Sequence, residues 1–459
     1  MKNIAIILAG GIGSRLNAGI PKQFLKVAGL SVIEHTIGVF QRHNRIDEIA
    51  VVVNDAYKGK IESFIIKNNF TKVKKILSSG SERHFSSLSA IEAYSHEEEC
   101  NLIFHDSVRP LISSFIIENV VVALERYKAV DVAINSADTI IEIDDENNIQ
   151  NIPVRNRIKR GQTPQGFRLS IIKEAYNKAL RDPNFRTTDD CGVVLKYLPN
   201  VKIHVVEGEE TNMKLTYKED FYLIEKLFQL KMADFQTKEL TITEEKALNN
   251  KVIVVFGGSS GIGLDVCKVC SENGARVYSF SRSSNQVDIR NIESVRKALQ
   301  QVYEREHRID YIVNTASVLH KEPLTHIGYT QIEEEIDINY KGMVIVAKEA
   351  FDYLKKSKGQ LLFYTSSSYT RGRMNYTIYS STKCATVNFV QALAEEWSYF
   401  GIKVNCINPE RTKTPMRTKN FGIEPEETLL KSVDAANVTI KVLLSELTGQ
   451  VVDVKIKSF

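Results

Sequence analysis

The sequence predicts an α/β protein built from two doubly wound nucleotide-binding domains in tandem. Three observations predict it. A strand, a glycine-rich turn and the start of a helix occur twice, at Ile4–Arg15 and again at Lys251–Leu264. After the first opening, apolar strand-like runs alternate with helical patterns, which favours a largely parallel sheet covered on both faces. The chain has 459 residues, room for two or three ordinary domains. Such an opening normally starts a domain, so the second one, past the midpoint, marks a second domain. The expected boundaries are 1–234 for the first domain, 235–249 for a connector and 250–459 for the second.

Composition bounds the class. Charged residues make up 25% and hydrophobic ones 43%, with a formal net charge of +4. That is ordinary for a soluble globular chain and gives no reason to expect nucleic acid as a partner. No apolar run approaches the roughly 18 residues needed to span a bilayer. Met1-Lys2-Asn3-Ile4 passes directly into a strand pattern, so neither a membrane partner nor a signal peptide is expected. Six cysteines scattered without a framework fit a reduced, cytoplasmic protein. Cys267-Lys-Val-Cys270 has no second CxxC to complete a zinc site and falls in the helix after the second glycine turn. Packing of that helix on its sheet is the expectation.

In the first domain, strands are expected at Ile4–Ala9, Glu48–Val53, Val73–Leu77, Leu102–His105, Ala129–Asn135 and Val201–Val206. Helices are expected near Ile33–Gln41, Lys58–Asn68, His84–Ala93, Ser113–Tyr127, Ser170–Arg181 and Lys218–Lys231. Ligands in such folds gather at the C-terminal ends of strands. The first such end is Leu8-Ala9-Gly10-Gly11-Ile12-Gly13-Ser14-Arg15, followed by Pro21-Lys22-Gln23. Gly10, Gly11 and Gly13 let backbone N–H groups approach an anion, and Arg15 and Lys22 add positive charge. The Lys-Ser/Thr of a Walker loop is missing, and Leu16 stands where a dinucleotide motif has its third glycine.

Further stretches follow in order: Ser79–Ser87, His105–Pro110, Ala137–Thr139, Gln162–Phe167, Thr188–Asp190 and Glu207–Lys214. Together with the opening they resemble the sugar- or polyol-phosphate cytidylyltransferases of the methylerythritol-phosphate type, along nearly the whole half. The resemblance implies transfer of a cytidylyl group from CTP to a phosphate monoester, with loss of pyrophosphate. It implies that Ala9, Gly10, Gly11, Gly13, Gly80, Arg83 and Ser87 hold CTP. Arg15, Lys22 and Lys214 would stabilise the triphosphate and the transition state, because crowded negative charge must be neutralised and the attack held in line. Asp106 would hold Mg²⁺ together with phosphate oxygens. Arg109, Thr139, Arg157 and Asp189 are candidates for the acceptor. His105 is expected to be positional, since an already ionised phosphate needs no general base.

Met232–Asn250 is polar and charged, without Gly or Pro, and reads as a short connector that is partly helical.

The second domain opens on Gly257-Gly-Ser259-Ser-Gly261-Ile262-Gly263. The next strand, Arg276–Phe280, runs into Ser281-Arg282-Ser283. An arginine where an acid would bind the ribose 2′-hydroxyl favours the 2′-phosphate of NADP. Asp288 is then an adenine contact and Asn314 follows the next strand. Tyr379 and Lys383 stand at i and i+4, on one face of a helix, and Ser366 precedes Tyr379 by 379 − 366 = 13 positions. With Asn339 and the glycine turn, these residues resemble the short-chain dehydrogenase/reductase family. Its pattern implies a carbonyl reductase in which Tyr379 handles the proton, its pKa lowered by Lys383, which also binds the nicotinamide ribose. Ser366 would hold the carbonyl oxygen, Asn339 a water for proton relay, and Thr414 the carboxamide. Glu410 replaces the usual glycine, leaving the path of that loop open. Arg417 and Lys419, beyond Thr414, either suit a phosphorylated substrate or are solvated surface.

A reductase making a polyol phosphate would feed a cytidylyltransferase. The pairing resembles the bifunctional ribulose 5-phosphate reductase/CDP-ribitol pyrophosphorylases of capsule and teichoic-acid synthesis. That resemblance implies NADPH and Mg²⁺ as cofactors, with CTP, D-ribulose 5-phosphate and D-ribitol 5-phosphate as small-molecule partners. It also implies a homo-oligomer, dimer or tetramer. The reductase would be metal-free, because a Cys/His zinc pattern is missing. Three alternatives stay open: a methylerythritol-phosphate cytidylyltransferase joined to an unrelated reductase, another ketose phosphate, or a second half that only mediates assembly or regulation.

Overall fold

The structure, a computed structural model, describes residues 1–11, 20–231 and 239–456. It divides into two units, Met1–Leu227 and Phe228–Phe459, each with its own sheet and core.

In the first unit, β1 (Asn3–Ala9), β2 (Glu48–Val53), β3 (Val73–Ser78), β4 (Asn101–Asp106), β5 (Ala129–Asn135), β6 (Lys159–Arg168) and β7 (Ile203–Glu207) form one sheet. Their order is β7-β5-β6-β4-β1-β2-β3. Only β6 runs antiparallel to its neighbours. β1 is buried along its whole length, as a strand covered on both faces must be. Ile33, Ile37 and Phe40 of helix Val32–Arg42 pack one face with Ile116 and Val120 of helix Ser114–Arg126. Ile91 of helix Arg83–Ala93, Ile172 and Tyr176 of helix Leu169–Ala179, and Val194 of helix Asp190–Tyr197 pack the other.

The expected strands and helices of this half are all present. Two elements of the main sheet and its covering helices were not expected, β6 and helix Asp190–Tyr197. β6 reads KRGQTPQGFR, with neither β-branched alternation nor a continuous apolar run, and it carries Gly161, Pro164 and Gly166. Its pairing with β5 slips between Gln162 and Gly166, where Pro164 has no N–H to give the ladder. A Cβ on Gly166 would lie 2.8 Å from the Leu124 side-chain tip, so glycine lets the helix pack closely on the sheet there. Between β5 and β6 a small exposed hairpin projects, Glu142–Ile143 against Ile149–Asn151.

In the second unit, β8 (Val252–Phe256), β9 (Arg276–Phe280), β10 (Tyr311–Asn314), β11 (Gln360–Tyr364), β12 (Lys403–Pro409) and β13 (Val451–Val454) form an all-parallel sheet. Its order is β9-β8-β10-β11-β12-β13. Helix Ile242–Leu248 lies within the expected connector, starts on a Thr241/Glu244 capping box, and buries Leu248 in this unit's core. The stretch 232–238 of the connector lies outside the described residues. Cys270 is buried on helix Gly261–Glu272, its thiol pushed up to about 12 by burial, which fits the packing role expected for the CxxC. Among the described residues no helix is long and apolar enough to cross a membrane.

Both sheets spread first to one side of their opening strand and then to the other. The loops therefore part between β1 and β4, and again between β8 and β10. Open α/β sheets bind ligands at such points.

Candidate active sites

At the first crevice the chain leaves β1 over the buried side chain of Gln23. Its amide donates to the carbonyls of Ala9 (2.7 Å) and Gly11 (3.0 Å), which fixes the start of the glycine stretch. A Cβ on Gly10 would stand 2.5 Å from that of Ser79, so the loop carrying Gly80 approaches as close as it does only because residue 10 is glycine. Gly13 and Arg15 lie outside the described residues. Lys22, on the single turn Lys22–Phe24, donates to the Leu215 carbonyl (2.9 Å) and so lies against the Lys214 segment.

Asp106, ending β4, is the centre of charge. Lys214 Nζ lies 2.9 Å from Oδ2, Arg109 Nε 3.6 Å from the same oxygen, and Arg83 Nε 3.9 Å from Oδ1. Burial pushes this carboxyl up, but Lys214, Arg83 and Arg109 outweigh it and hold the group well below the usual carboxylate range. Arg83 is aimed by Asp190, at 2.6 Å, whose other oxygen accepts from the Tyr176 hydroxyl (2.7 Å). Ser87, on the same helix as Arg83, is buried beside Tyr176. Arg109 donates to the Asn212 carbonyl (2.7 Å).

His105 is positional. Burial pushes its pKa down to about 4, so the ring is neutral. The Arg109 carbonyl, 3.3 Å from Nε2, can only accept, which puts the ring proton on Nε2. Nδ1 then accepts from the Thr163 hydroxyl (3.0 Å), and Thr163 in turn accepts the Asp106 N–H (3.1 Å).

Sequence reasoning passed over Asp190 in favour of its neighbour. Asp189 caps helix Asp190–Tyr197 by accepting the Gly192 N–H (2.8 Å) and also accepts from the Gln165 amide (3.0 Å). The same amide donates to Asp131 (3.0 Å), whose carboxyl is pushed up to about 6 by burial, with Gln165 opposing and Asp189 adding. The signal for Asp190 was there: a capping aspartate makes the next residue the first helical one, here turned inward. Thr139 and Arg157 are not drawn into this network. Both are exposed, flanking the projecting hairpin, and among the described residues neither side chain makes a hydrogen bond or ion pair.

At the second crevice Gly257 has φ +84°, and a Cβ there would lie 2.6 Å from the Ala316 nitrogen. A Cβ on Gly263 would lie 2.4 Å from the Gly257 carbonyl oxygen. Backbone cannot yield as a side-chain tip can. Gly263→Ala is therefore expected to cost about 1–3 kcal/mol of stability and to weaken nucleotide binding, read by thermal unfolding and by titration with NADPH. The cleft holds about 990 Å³ and is lined by Gly257, Ser259, Gly261, Ile262 and Gly263 on one side and by Ser366, Tyr379 and Lys383 on the other. Arg282, Asp288 and Thr414 also line it. Arg282 rests 3.3 Å from Glu334, and Asp288 is held by Arg290 (2.6 Å). Asn314 accepts the Ala316 N–H (3.1 Å) and so shapes the loop after β10. Thr414 caps helix Pro415–Phe421 and backs onto Gly261, whose Cβ would meet it at 3.2 Å.

Tyr379 and Lys383 share one face of helix Thr377–Trp397. The Tyr379 hydroxyl is hydrogen-bonded to Ser366, whereas Ser368 is buried behind it. That separates Ser366 from its serine neighbours. Lys383 Nζ donates to the Tyr364 carbonyl (3.0 Å) and lies 5.4 Å from the Tyr379 ring centre. Lys383 was expected to depress Tyr379. In the protein alone the phenol is instead pushed up to about 12, by burial, with the Ser366 bond opposing. Burial also pushes Lys383 down, to about 8.

Asn339 sits in a π-turn, Asp337–Lys341. Its oxygen accepts from the Ser317 hydroxyl (2.8 Å) and the Val318 N–H (2.9 Å), and its amide donates to the Val318 carbonyl (2.9 Å). Asn339 was expected to hold a water; its side-chain oxygen and one amide N–H tie the loop after β10 to the turn. Glu410 settles the open loop path: its carboxylate turns to the C-terminal segment and accepts the Ile456 N–H (2.7 Å). Arg417 is claimed by both oxygens of Glu424, at 2.7 and 2.8 Å.

The profile of the 2-C-methyl-D-erythritol 4-phosphate cytidylyltransferase family matches residues 3–229, and that of the short chain dehydrogenases matches residues 251–423. A Haemophilus influenzae protein named bifunctional ribulose 5-phosphate reductase/CDP-ribitol pyrophosphorylase is 46% identical over 99% of this chain and 96% of its own length. A 2-C-methyl-D-erythritol 4-phosphate cytidylyltransferase of Thermobifida fusca is 38% identical over 50% of this chain and 94% of its own. Among solved structures, the 4-diphosphocytidyl-2C-methyl-D-erythritol synthase of Anaerococcus prevotii is 30% identical, covering 50% of this chain and 98% of its own, with a TM-score of 0.45. The likeness to the Haemophilus protein runs through both crevices and almost from end to end, so the chain belongs to the family of bifunctional ribulose 5-phosphate reductase/CDP-ribitol pyrophosphorylases, enzymes pairing a cytidylyltransferase with a short-chain reductase.

Proposed function

We propose that the chain makes CDP-ribitol in two steps. The second unit reduces D-ribulose 5-phosphate at C2 with NADPH, giving D-ribitol 5-phosphate. The first unit then joins that phosphate monoester to the α-phosphorus of CTP, and pyrophosphate leaves. The observation that carries the reading is the coexistence of both constellations: Ser366, Tyr379 and Lys383 on one cleft with the glycine turn, and Asp106 gathering Lys214, Arg109 and Arg83.

The second cleft fits a nicotinamide dinucleotide, because its glycine turn leaves no room for side chains and exposes backbone N–H groups to an anion. Bound NADPH supplies the hydride. Arg282, at the end of β9 and exposed, is the cation for a 2′-phosphate. Ser366 orients the ketone oxygen and Tyr379 gives it a proton. Water for reprotonating Tyr379 is offered the main-chain groups of the π-turn that holds Asn339, whose side-chain oxygen already accepts twice.

In the first crevice the donor set is one buried carboxylate, with cations around it. That fits Mg²⁺, which takes most of its ligands from phosphate oxygens and water. Lys214, 42% exposed at its side chain, is free to swing from Asp106 onto the phosphates. Arg83 cannot follow so easily, being held by Asp190. A cytoplasmic location, assembly into a dimer or tetramer, and delivery of the product to a capsule or teichoic-acid-type polymer complete the proposal.

A pH profile tests the reductase half. Lys383 carries its charge below about 8 and loses it above, because burial has lowered its pKa. Reduction at saturating NADPH should hold through neutrality and decline as pH rises through about 8. A flat profile to pH 10 would remove Lys383 from the charge-bearing role. The pathway itself is tested by following NADPH oxidation with D-ribulose 5-phosphate, then adding CTP and Mg²⁺ and measuring pyrophosphate. Pyrophosphate released with methylerythritol phosphate but not with ribitol phosphate would move the first unit to the other acceptor.

A further inference from the structure

The reductase cleft carries two arginines that the protein leaves unspent. Arg373 lies on the loop between Ser366 and Tyr379, its backbone N–H donating to the hydroxyl of Ser380, next to the catalytic tyrosine (3.3 Å). Arg411 lies on the loop from β12 to Thr414. Both line the cleft. Of the other cations there, Arg417 is neutralised by Glu424 at 2.7 and 2.8 Å, while Arg282, 3.3 Å from Glu334, and Lys383, on the Tyr364 carbonyl at 3.0 Å, are assigned to the dinucleotide. Among the described residues the side chains of Arg373 and Arg411 make no hydrogen bond or ion pair. Arg411 feels Glu424 only at longer range, and Glu424 already belongs to Arg417.

The acids of the cleft do not change this balance. Asp288 is held by Arg290, and Glu410 has turned away to the Ile456 N–H. The remaining wall beside the tyrosine is aromatic: Tyr376 packs edge-on against Phe421, ring centres 6.1 Å apart, and lies 6.3 Å from the Tyr379 ring. Unpaired guanidinium forks next to apolar rings, in a cleft from which a substrate displaces water, are matched to a phosphate dianion. Each fork can give two parallel charge-assisted hydrogen bonds. The phosphates of the dinucleotide have their own donors in the glycine turn and Arg282.

We infer that Arg373 and Arg411 seat the phosphate of the ketose and are the residues by which the reductase tells a phosphorylated ketose from a free one. The inference rests on the reading of the second unit as a ketose-phosphate reductase. It moves phosphate recognition from Arg417 and Lys419, where the sequence suggested it, to two loops flanking the reacting carbonyl.

The test uses the full chain, with Arg373→Ala, Arg411→Ala and the double variant. Initial rates are measured with D-ribulose 5-phosphate and with D-ribulose, NADPH binding is followed by fluorescence, and CTP-dependent pyrophosphate release reports the first unit. Losing a charge-assisted contact should raise KM for the phosphorylated sugar by about 10-fold or more per arginine, with kcat changing far less. NADPH affinity should stay near the parent value, and kcat/KM for D-ribulose should fall much less than for its phosphate. Inorganic phosphate should compete with the phosphorylated ketose in the parent and lose that effect in the double variant. If the double variant binds no NADPH, the pair Arg373→Gln and Arg411→Gln replaces it, judged on the same ratio of the two sugars.

An active parent enzyme whose double variant keeps its preference for the phosphorylated sugar overturns the inference alone. So does a loss that falls equally on both sugars, or on NADPH only. A parent enzyme that oxidises no NADPH with D-ribulose 5-phosphate overturns the functional reading, and the inference falls with it.

Discussion

Replacing Tyr379 by Phe is expected to lower NADPH-dependent reduction by about 10²–10⁴-fold, the usual worth of a positioned proton donor. CTP-dependent pyrophosphate release from added D-ribitol 5-phosphate should continue at the parent rate. The reasoning starts from the hydroxyl itself. It is hydrogen-bonded to Ser366 inside the cleft, on a helix whose next turn carries Lys383. Phenylalanine keeps the ring, its contact with Tyr376 and the buried volume, so the fold has no reason to change. It removes only the hydroxyl proposed to give the ketone oxygen its proton. The measurement is NADPH oxidation beside pyrophosphate release on one preparation. Unchanged oxidation would mean that the ketone oxygen takes its proton from another group. Loss of both activities would mean that the substitution damages the chain rather than the chemistry.

Asp106→Asn is expected to do the converse, lowering cytidylyl transfer by about 10²–10³-fold, the scale on which one preorganised electrostatic group acts, and sparing reduction. The carboxylate is the one negative charge within 4 Å of Lys214, Arg109 and Arg83 recorded for all three. An amide of the same shape removes the charge proposed to hold Mg²⁺ and the charge that spaces these cations. They would then repel one another, and the ones that should meet the triphosphate lose their common anchor. Thr163 still accepts the backbone N–H of residue 106, so β4 keeps its end. The rate of pyrophosphate release at saturating CTP and Mg²⁺ checks the expectation. A variant with full activity would place the metal on other ligands.

Much of this was legible in the sequence for physical reasons. β1 and β8 are continuous apolar runs of the kind a doubly covered parallel strand uses, and Gly10, Gly257 and Gly263 after them sit where a Cβ would strike backbone or a packed loop. Spacing placed Tyr379 and Lys383 on one helix face. β6 was not legible because its register is set by its neighbours: a polar segment with proline and two glycines becomes a strand only when β4 and β5 offer free edges. Asp190 was hidden behind the capping chemistry of Asp189. The division of labour among the arginines was hidden as well. Arg417 and Arg411 look alike in sequence, and only the return of Glu424 to Arg417 shows which of them is already neutralised.

The place of β6 has a consequence for how the protein is made. It lies between β4 and β5, strands completed well before Lys159 leaves the ribosome. Until then β4 has one unsatisfied edge and β5 has no partner on that side. Their apolar faces and free backbone groups are templates for the wrong neighbour. The first unit is therefore most vulnerable to aggregation midway through its own synthesis, and that window narrows when β6 slots in and closes when β7 covers the other edge of β5. The remaining stretch, Phe228–Phe459, then takes roughly tens of seconds to emerge at 5–20 residues per second. A completed cytidylyltransferase unit thus precedes its reductase on every nascent chain.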